Sequence, residues 1–338
     1  PRSTLFPFST LFRSTTIGSN HRFTLTYQGP ILPAGDAEII SYVRDTMLPW
    51  VDEAFEGATD YDSYFYGNFA ENHTKWTTYP AEPWYGAGYR GIRNRLTVLT
   101  EAYAYASFED RVLSTEMFCK QILVYAAWGH QGRIPSMLAA ADARTVEAGR
   151  LGAPLAVKTE ARAFAEPAVI LGYDEPIESG AHSKRMKIDF ATTPAKDYEI
   201  PVFNDFVPTV SVRRPAAYHI PAAQVDVIDR VRAHGIDLTI VGDADVATLG
   251  DRNAGVYTVD AVERAERAWQ NRTMMEFEVR LGAGSIEVKP GDAIVRTDQA
   301  LGSLAAYMLE PLSTGGLAAW GFFPDLEPGD RYPISRLD

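Results

Sequence analysis

The sequence predicts an α/β protein of more than one domain, and three observations carry that reading. Its 338 residues are about twice a typical domain. Segments with apolar residues at helical spacing take turns with short apolar or alternating runs of strand type. The texture then changes after Gly152 and again beyond Pro215. Hydrophobic residues make up 46% of the chain and charged residues 22%, as in globular rather than disordered proteins.

Phe23, Leu25 and Tyr27 alternate as a half-buried strand would, and Gly29 with Pro30 turns the chain. A helix should start near Asp36, because Ile39, Ile40, Val43, Met47, Leu48, Val51 and Phe55 fall on one apolar face; Gly57 should stop it. From Tyr61 to Tyr89 aromatics crowd together (Tyr64, Phe65, Tyr66, Phe69, Trp76, Tyr79, Trp84, Tyr85) without a clean period. A long irregular loop of that kind is uncommon unless it builds a site. Leu96, Val98 and Leu99 read as a buried strand bounded by Arg95 and Glu101. Ser107 and Asp110 have the spacing of a capping box, and Phe108, Val112, Phe118, Ile122 and Tyr125 continue it as a helix. An Ala-rich helix from Pro135 to Arg150 closes this half.

After Gly152, short strands broken by Pro154, Pro167, Pro176, Pro194, Pro201 and Pro208 predict a β-rich connector over 151–214. A small α/β domain over 215–338 should follow. Its opening is a β-α-β unit: a strand Ala216 to Ile220, a helix Ala222 to Ala233 with Pro221 at its first turn, and a strand Ile236 to Val241. Strands at Met275 to Leu281, Ser285 to Lys289 and Ala293 to Thr297, and a helix near Ser303 to Leu309, complete it.

Composition excludes several functions. A net charge of -12 argues against a nucleic-acid backbone as partner. No apolar run reaches the roughly 18 residues of a membrane span. The single cysteine, Cys119, allows neither an internal disulfide nor a Cys-based zinc cluster, and its apolar neighbours Met117, Phe118 and Ile122 mark a structural thiol. Low cysteine content leaves the compartment open.

Glu101 is the first candidate for chemistry, because it follows a buried strand, and strand ends in α/β sheets are where ligands bind. A carboxylate there loses hydration, which raises its proton affinity toward the range of general acid/base work. The plain alternative is a surface glutamate at the start of a loop. Gly86, Gly88 and Gly91 match G-x-G-x-x-G, but Pro83 and Trp84 precede them and a strand follows. That context does not suit a dinucleotide site.

Tyr89 to Arg95, followed by Leu99 to Val112, resembles the catalytic-glutamate region of bacterial zinc carboxypeptidases of the carboxypeptidase A type. Thr15 to Arg22 and Leu25 to Tyr27 resemble the segment just after that family's third zinc ligand, and the matches together cover Thr15 to Gly132. The resemblance implies a partial α/β/α sandwich with a mixed sheet over 15–150, the C-terminal half of a catalytic domain. It implies hydrolysis of a peptide or peptide-like substrate, with Glu101 taking a proton from zinc-bound water and passing it to the leaving amine. It also implies an arginine for the substrate carboxylate and a tyrosine lid, for which Arg90, Arg93 and Arg95 and Tyr89 are the residues at hand. A guanidinium suits a carboxylate through two parallel hydrogen bonds. Export to the periplasm or outside the cell is a further implication.

The chain departs from the family at the metal. None of its six histidines begins His-x-x-Glu, and Ser14 stands where the third ligand is expected. Ser3 to Phe6 recurs as Ser9 to Phe12, so residues 1–14 resemble translated sequencing adapter joined to a truncated reading frame. The metal ligands are thus expected upstream of this chain, and no residue here is assigned to zinc; His21 is the nearest imidazole. A same-fold amidohydrolase acting on amino-acid conjugates, and a binding protein without catalysis, are the alternatives.

Overall fold

The computed structural model describes residues 15–16, 18–128, 132–175 and 188–338. The first segment contains β1 (Thr15–Thr16), β2 (Leu25–Gln28), α1 (Ala37–Tyr42), α2 (Leu48–Glu56), β3 (Ser63–Phe65), β4 (Asn68–Ala70), β5 (Lys75–Thr77), α3 (Gly86–Ile92), β6 (Leu99–Tyr103), α4 (Phe108–Trp128) and α5 (Arg133–Arg150). Four of its strands form a mixed sheet in the order β1-β6-β2-β3. β1 with β6 and β2 with β3 are parallel, and β6 with β2 is antiparallel. The fold class is α/β, as the sequence predicts.

The helix expected from Asp36 to Gly57 forms, and its start has a direct cause. The Asp36 carboxylate accepts from the Ile39 backbone N–H at 3.1 Å and also binds Arg144 of α5. Its middle is a π-turn, Val43–Met47, between α1 and α2. Pro49, in the first turn of α2, lacks the N–H that would bond back along an α ladder, so the ladder widens ahead of it. Ile39, Val43, Val51 and Phe55 bury against Leu25 and Tyr27 of β2 and against Phe118 and Tyr125 of α4. Ser107 caps α4, its Oγ accepting from the Asp110 N–H at 3.0 Å. Phe108 and Val112, assigned to the helix by spacing, lie on its exposed side.

The stretch 61–89 differs from the expected irregular loop, since it holds β3, β4, β5 and α3. Strands of three residues are too short to show a period. The three glycines lie within α3, where they permit close contact. A Cβ on Gly88 would meet the Glu82 carbonyl oxygen at 2.4 Å, and one on Gly91 would meet Pro30 at 2.7 Å.

The connector is β-rich as expected, with β7 (Pro154–Ala163), β8 (Ala168–Tyr173), β9 (Ala195–Ile200) and β10 (Val202–Arg213). Pro176, one of its expected strand breakers, lies outside the described residues. β10 pairs with β7 and also with β5, so connector and first segment share the sheet β4-β5-β10-β7. Beyond it lie β11 (Ala217–Ile220), α6 (Val225–Ala233), β12 (Thr239–Ile240), α7 (Asp243–Leu249), β13 (Asp251–Arg264), β14 (Met275–Glu287), β15 (Ala293–Arg296), α8 (Gly302–Leu309) and β16 (Ser335–Leu337). Six of these strands form one sheet, in the order β12-β15-β11-β16-β13-β14. The β-α-β unit is split, because β15 inserts between β11 and β12. The two strands expected at Met275 to Leu281 and Ser285 to Lys289 are one, held continuous by β13. Among the described residues, no helix is long and apolar enough to cross a membrane.

Two buried carboxyl groups hold these parts. Glu310, after α8, accepts from Tyr218 and Tyr257 hydroxyls at 2.6 Å each and from Arg336 at 2.9 Å, joining β11, β13 and β16. Glu82, ahead of α3, accepts from Thr314 Oγ1 at 3.0 Å and Tyr307 Oη at 3.2 Å of the C-terminal segment. Around Glu82 one apolar cluster runs from Ile31, Ala81 and Ile92 through Leu155 to Leu309 and Phe323.

Burial pushes the Glu82 pKa up to about 7, against the opposing pull of its two hydroxyl donors. A carboxyl that binds its proton more tightly folded than unfolded stabilises fully below the unfolded pKa, and that contribution is lost as pH rises through about 7. Glu82→Gln should therefore flatten the fall in stability between about pH 4.5 and pH 7, by at most about 3 kcal/mol. Urea unfolding of both proteins across that range checks it; parallel pH profiles would contradict it.

Candidate active site

Glu101 is the middle residue of β6. It lies within the strand rather than after it as the sequence predicts: β6 begins at Leu99, and pairing with β1 and β2 carries it through to Tyr103. Register decides which way the carboxylate points. Thr26 stands opposite Glu101, with Leu25 opposite Ala102 and Tyr27 opposite Thr100. Opposed residues share a face of the sheet and successive ones alternate. Leu25 and Tyr27 pack under the helices, so Thr26 and Glu101 face away from them. Glu101 is half-buried, while Thr100 and Ala102 are buried.

Tyr79 lies within electrostatic reach of Glu101. The Tyr79 hydroxyl is buried without a hydrogen-bond partner among the described residues. Burial, and then the nearby Tyr66 and Glu101, push its pKa well above the usual phenol value. Its ring packs on Tyr85 at 4.4 Å and Tyr66 at 5.4 Å between centroids. A buried phenol that keeps its proton is a ready donor to an incoming carbonyl or carboxylate.

Gln28 continues the same face two residues beyond Thr26. Its Nε2 donates to Asn204 Oδ1 at 2.6 Å and Thr78 Oγ1 at 3.0 Å, and its Oε1 accepts from the Gly29 N–H at 3.1 Å. These bonds tie β2 to β10 and to the chain after β5. Gln28 and Asn204 also line a cleft of about 370 Å³ with Arg44, Phe65 and Phe206. Arg44 is already paired there, with Asp45 at 2.6 Å and Asp205 at 3.0 Å.

His21 is enclosed by Tyr103, Trp76 and Phe23, at ring separations of 4.1, 5.7 and 5.8 Å. Burial lowers its pKa to about 3, so the ring is neutral at physiological pH. Neither ring nitrogen has a hydrogen-bond partner among the described residues. Among those residues, no group of three or more His, Cys, Asp or Glu side chains could hold a metal. A catalytic zinc takes three protein ligands, and this single enclosed imidazole does not fit that requirement. Residues 1–14, with the repeated leader and Ser14, lie outside the described residues.

Tyr89 and Arg93 are placed elsewhere. The Tyr89 hydroxyl pairs with His234 Nδ1 at 2.8 Å; Arg93 donates to that hydroxyl at 3.0 Å and to the His234 carbonyl at 2.7 Å. The guanidinium also lies over the Tyr89 ring, 5.2 Å from its centroid. Both residues thus join α3 to the end of α6, and neither bonds to Glu101. Arg90 is half-buried on the same helix, and Arg95 pairs with Asp142 at 3.1 Å. The tyrosine whose hydroxyl feels the charge of Glu101 is Tyr79. The aromatic crowding of 61–89 signals it, but nothing local in the sequence separates it from its neighbours.

Over 150 residues the chain is 29% identical to a carboxypeptidase 2 from Trichophyton rubrum, a stretch covering 44% of this chain and 25% of that protein. It is 27% identical over 153 residues to a carboxypeptidase 2 from Trichophyton tonsurans, covering 44% and 27%, and 28% identical over 152 residues to one from Trichophyton equinum, covering 43% and 27%. No family model matches the chain, and no solved structure matches it significantly. The match spans about a quarter of the length of these curated relatives. Over that stretch the chain is similar to proteins named carboxypeptidase 2.

Proposed function

We propose that the chain is part of a zinc-dependent carboxypeptidase, in which Glu101 takes a proton from the attacking water and delivers it to the leaving amine. The observation that carries this reading is the orientation of Glu101: a half-buried carboxylate in mid-strand, on the face turned from the helices. The kinship to carboxypeptidases supports the substrate class. A zinc ion held by ligands outside the described residues would supply Lewis-acid polarisation of the scissile carbonyl. Its ligands, in this proposal, come from a longer protein.

The residues of this chain then have separable tasks. β6, held on both sides, fixes the Glu101 backbone and so the direction in which its side chain leaves the sheet. A strand-borne base is placed more reproducibly than one on a loop. Tyr79 keeps its proton and can donate to the substrate. The rings of Tyr66, Tyr79 and Tyr85 exclude bulk water from one side, which strengthens polar contacts made there.

Glu101→Gln in the longer protein should lower kcat by about 10²- to 10⁴-fold with little change in substrate binding, since the amide cannot accept the proton. Steady-state kinetics on a blocked dipeptide checks this; near-normal turnover would remove Glu101 from the mechanism. The 338-residue chain, dialysed against a weak chelator, should retain far less than one zinc per molecule by atomic absorption. Stoichiometric zinc that disappears in His21→Ala would instead make His21 a ligand.

A further inference from the structure

Three tryptophans from distant parts of the chain meet at the surface. Trp84 precedes α3, Trp269 lies between β13 and β14, and Trp320 follows α8. Their ring centroids are 5.4 Å apart for Trp269 and Trp320, 5.5 Å for Trp84 and Trp269, and 5.9 Å for Trp84 and Trp320. Trp269 is 39% exposed and the other two are half-buried.

Trp269 is held there at a conformational cost. It opens a two-residue turn in which its N–H and carbonyl bond to Arg272 at 2.8 and 2.9 Å, with Gln270 at φ 48° and Asn271 at φ 63°. Both central residues are left-handed, as a type I′ turn requires, and glutamine is poorly suited to that region. Strained backbone of this kind persists where its surroundings fix it, and it gathers at sites that bind.

The cluster also continues inward. Trp84 contacts Tyr85 at 6.1 Å, Tyr85 contacts Tyr79 at 4.4 Å, and Tyr79 senses the charge of Glu101. A run of rings therefore leads from Tyr79, within electrostatic reach of Glu101, to a patch supplied largely by the C-terminal segment. We infer that Trp84, Trp269 and Trp320 form a subsite for an apolar or aromatic side chain of a peptide substrate, on the stretch leading to the bond cleaved at Glu101. This rests on the reading of Glu101 as acting on peptides. Flat rings stack on such a side chain, and an indole N–H can donate to a carbonyl of its backbone. The C-terminal segment thereby becomes part of substrate recognition.

The test uses the 338-residue chain, N-acetylated tetrapeptides carrying Phe or only Ala upstream of the C-terminal residue, and indole fluorescence as the binding signal. Phe peptides should perturb the fluorescence and bind about tenfold more tightly than Ala peptides. Trp269→Ala and Trp320→Ala should each lose most of that preference, with Ala-peptide affinity and thermal midpoint unchanged, and Trp269→Phe should keep part of it. Undiminished preference in both Ala variants, or no peptide binding by the unmodified chain, would overturn the subsite. Tighter binding of an oligosaccharide, sensitive to Trp269→Ala, would overturn it in favour of sugar. Peptide binding that ignores the tryptophans would leave the Glu101 reading standing. Tryptophan-dependent binding with Glu101→Gln as active as the unmodified enzyme would remove that reading and keep the subsite.

Discussion

The pairing of β2 with β6 is the constraint on which the rest of the molecule depends. Its register sets Thr26 against Glu101 and, one step along, Leu25 against Ala102. Side chains alternate along a strand, so a slip of one residue would set Glu101 against Leu25 or Tyr27 and either force the carboxylate beneath α2 and α4 or turn those two residues out of the core. The helix-side core resists that slip: Leu25, Tyr27, Phe55 and Phe118 are all fully or almost fully buried there. Packing on one face thus sets the chemistry available on the other.

The same sheet is connected outward by polar contacts rather than by apolar packing alone. Gln28 reaches Asn204 of the connector, Glu82 reaches Tyr307 and Thr314, and Arg93 reaches His234. Each is a buried or half-buried group whose partner lies far away in sequence. Such groups cost stability when their partners are removed, and that makes the relative placement of the segments specific. A charge on Glu82 is the weak point, because its donors are neutral hydroxyls.

How much of this is legible in the sequence depends on whether a signal is local. The helix after Asp36 is legible from its cap, its apolar face and its glycine stop, all within one stretch. Glu101 stands out by its place next to an apolar run and by family resemblance, but its position within the strand depends on β1 and β2, which pair with it from afar. β13 carries Asn253 and Gly255, residues of turn type, and exists because β14 pairs along its length. Tyr89 and Arg93 look like site residues by proximity to Glu101 in sequence, yet helix geometry turns them to His234. Tyr79 and the three tryptophans come together only through tertiary contacts.

Thiol labelling at three successive positions of β6 tests the orientation of Glu101 most directly. With Cys119→Ser as background, T100C, E101C and A102C would be reacted with a small methanethiosulfonate under native conditions. The account predicts rapid labelling of E101C alone, with T100C and A102C protected by burial beneath the helices. Protection of E101C together with labelling of T100C or A102C would place the carboxylate on the core face and contradict it.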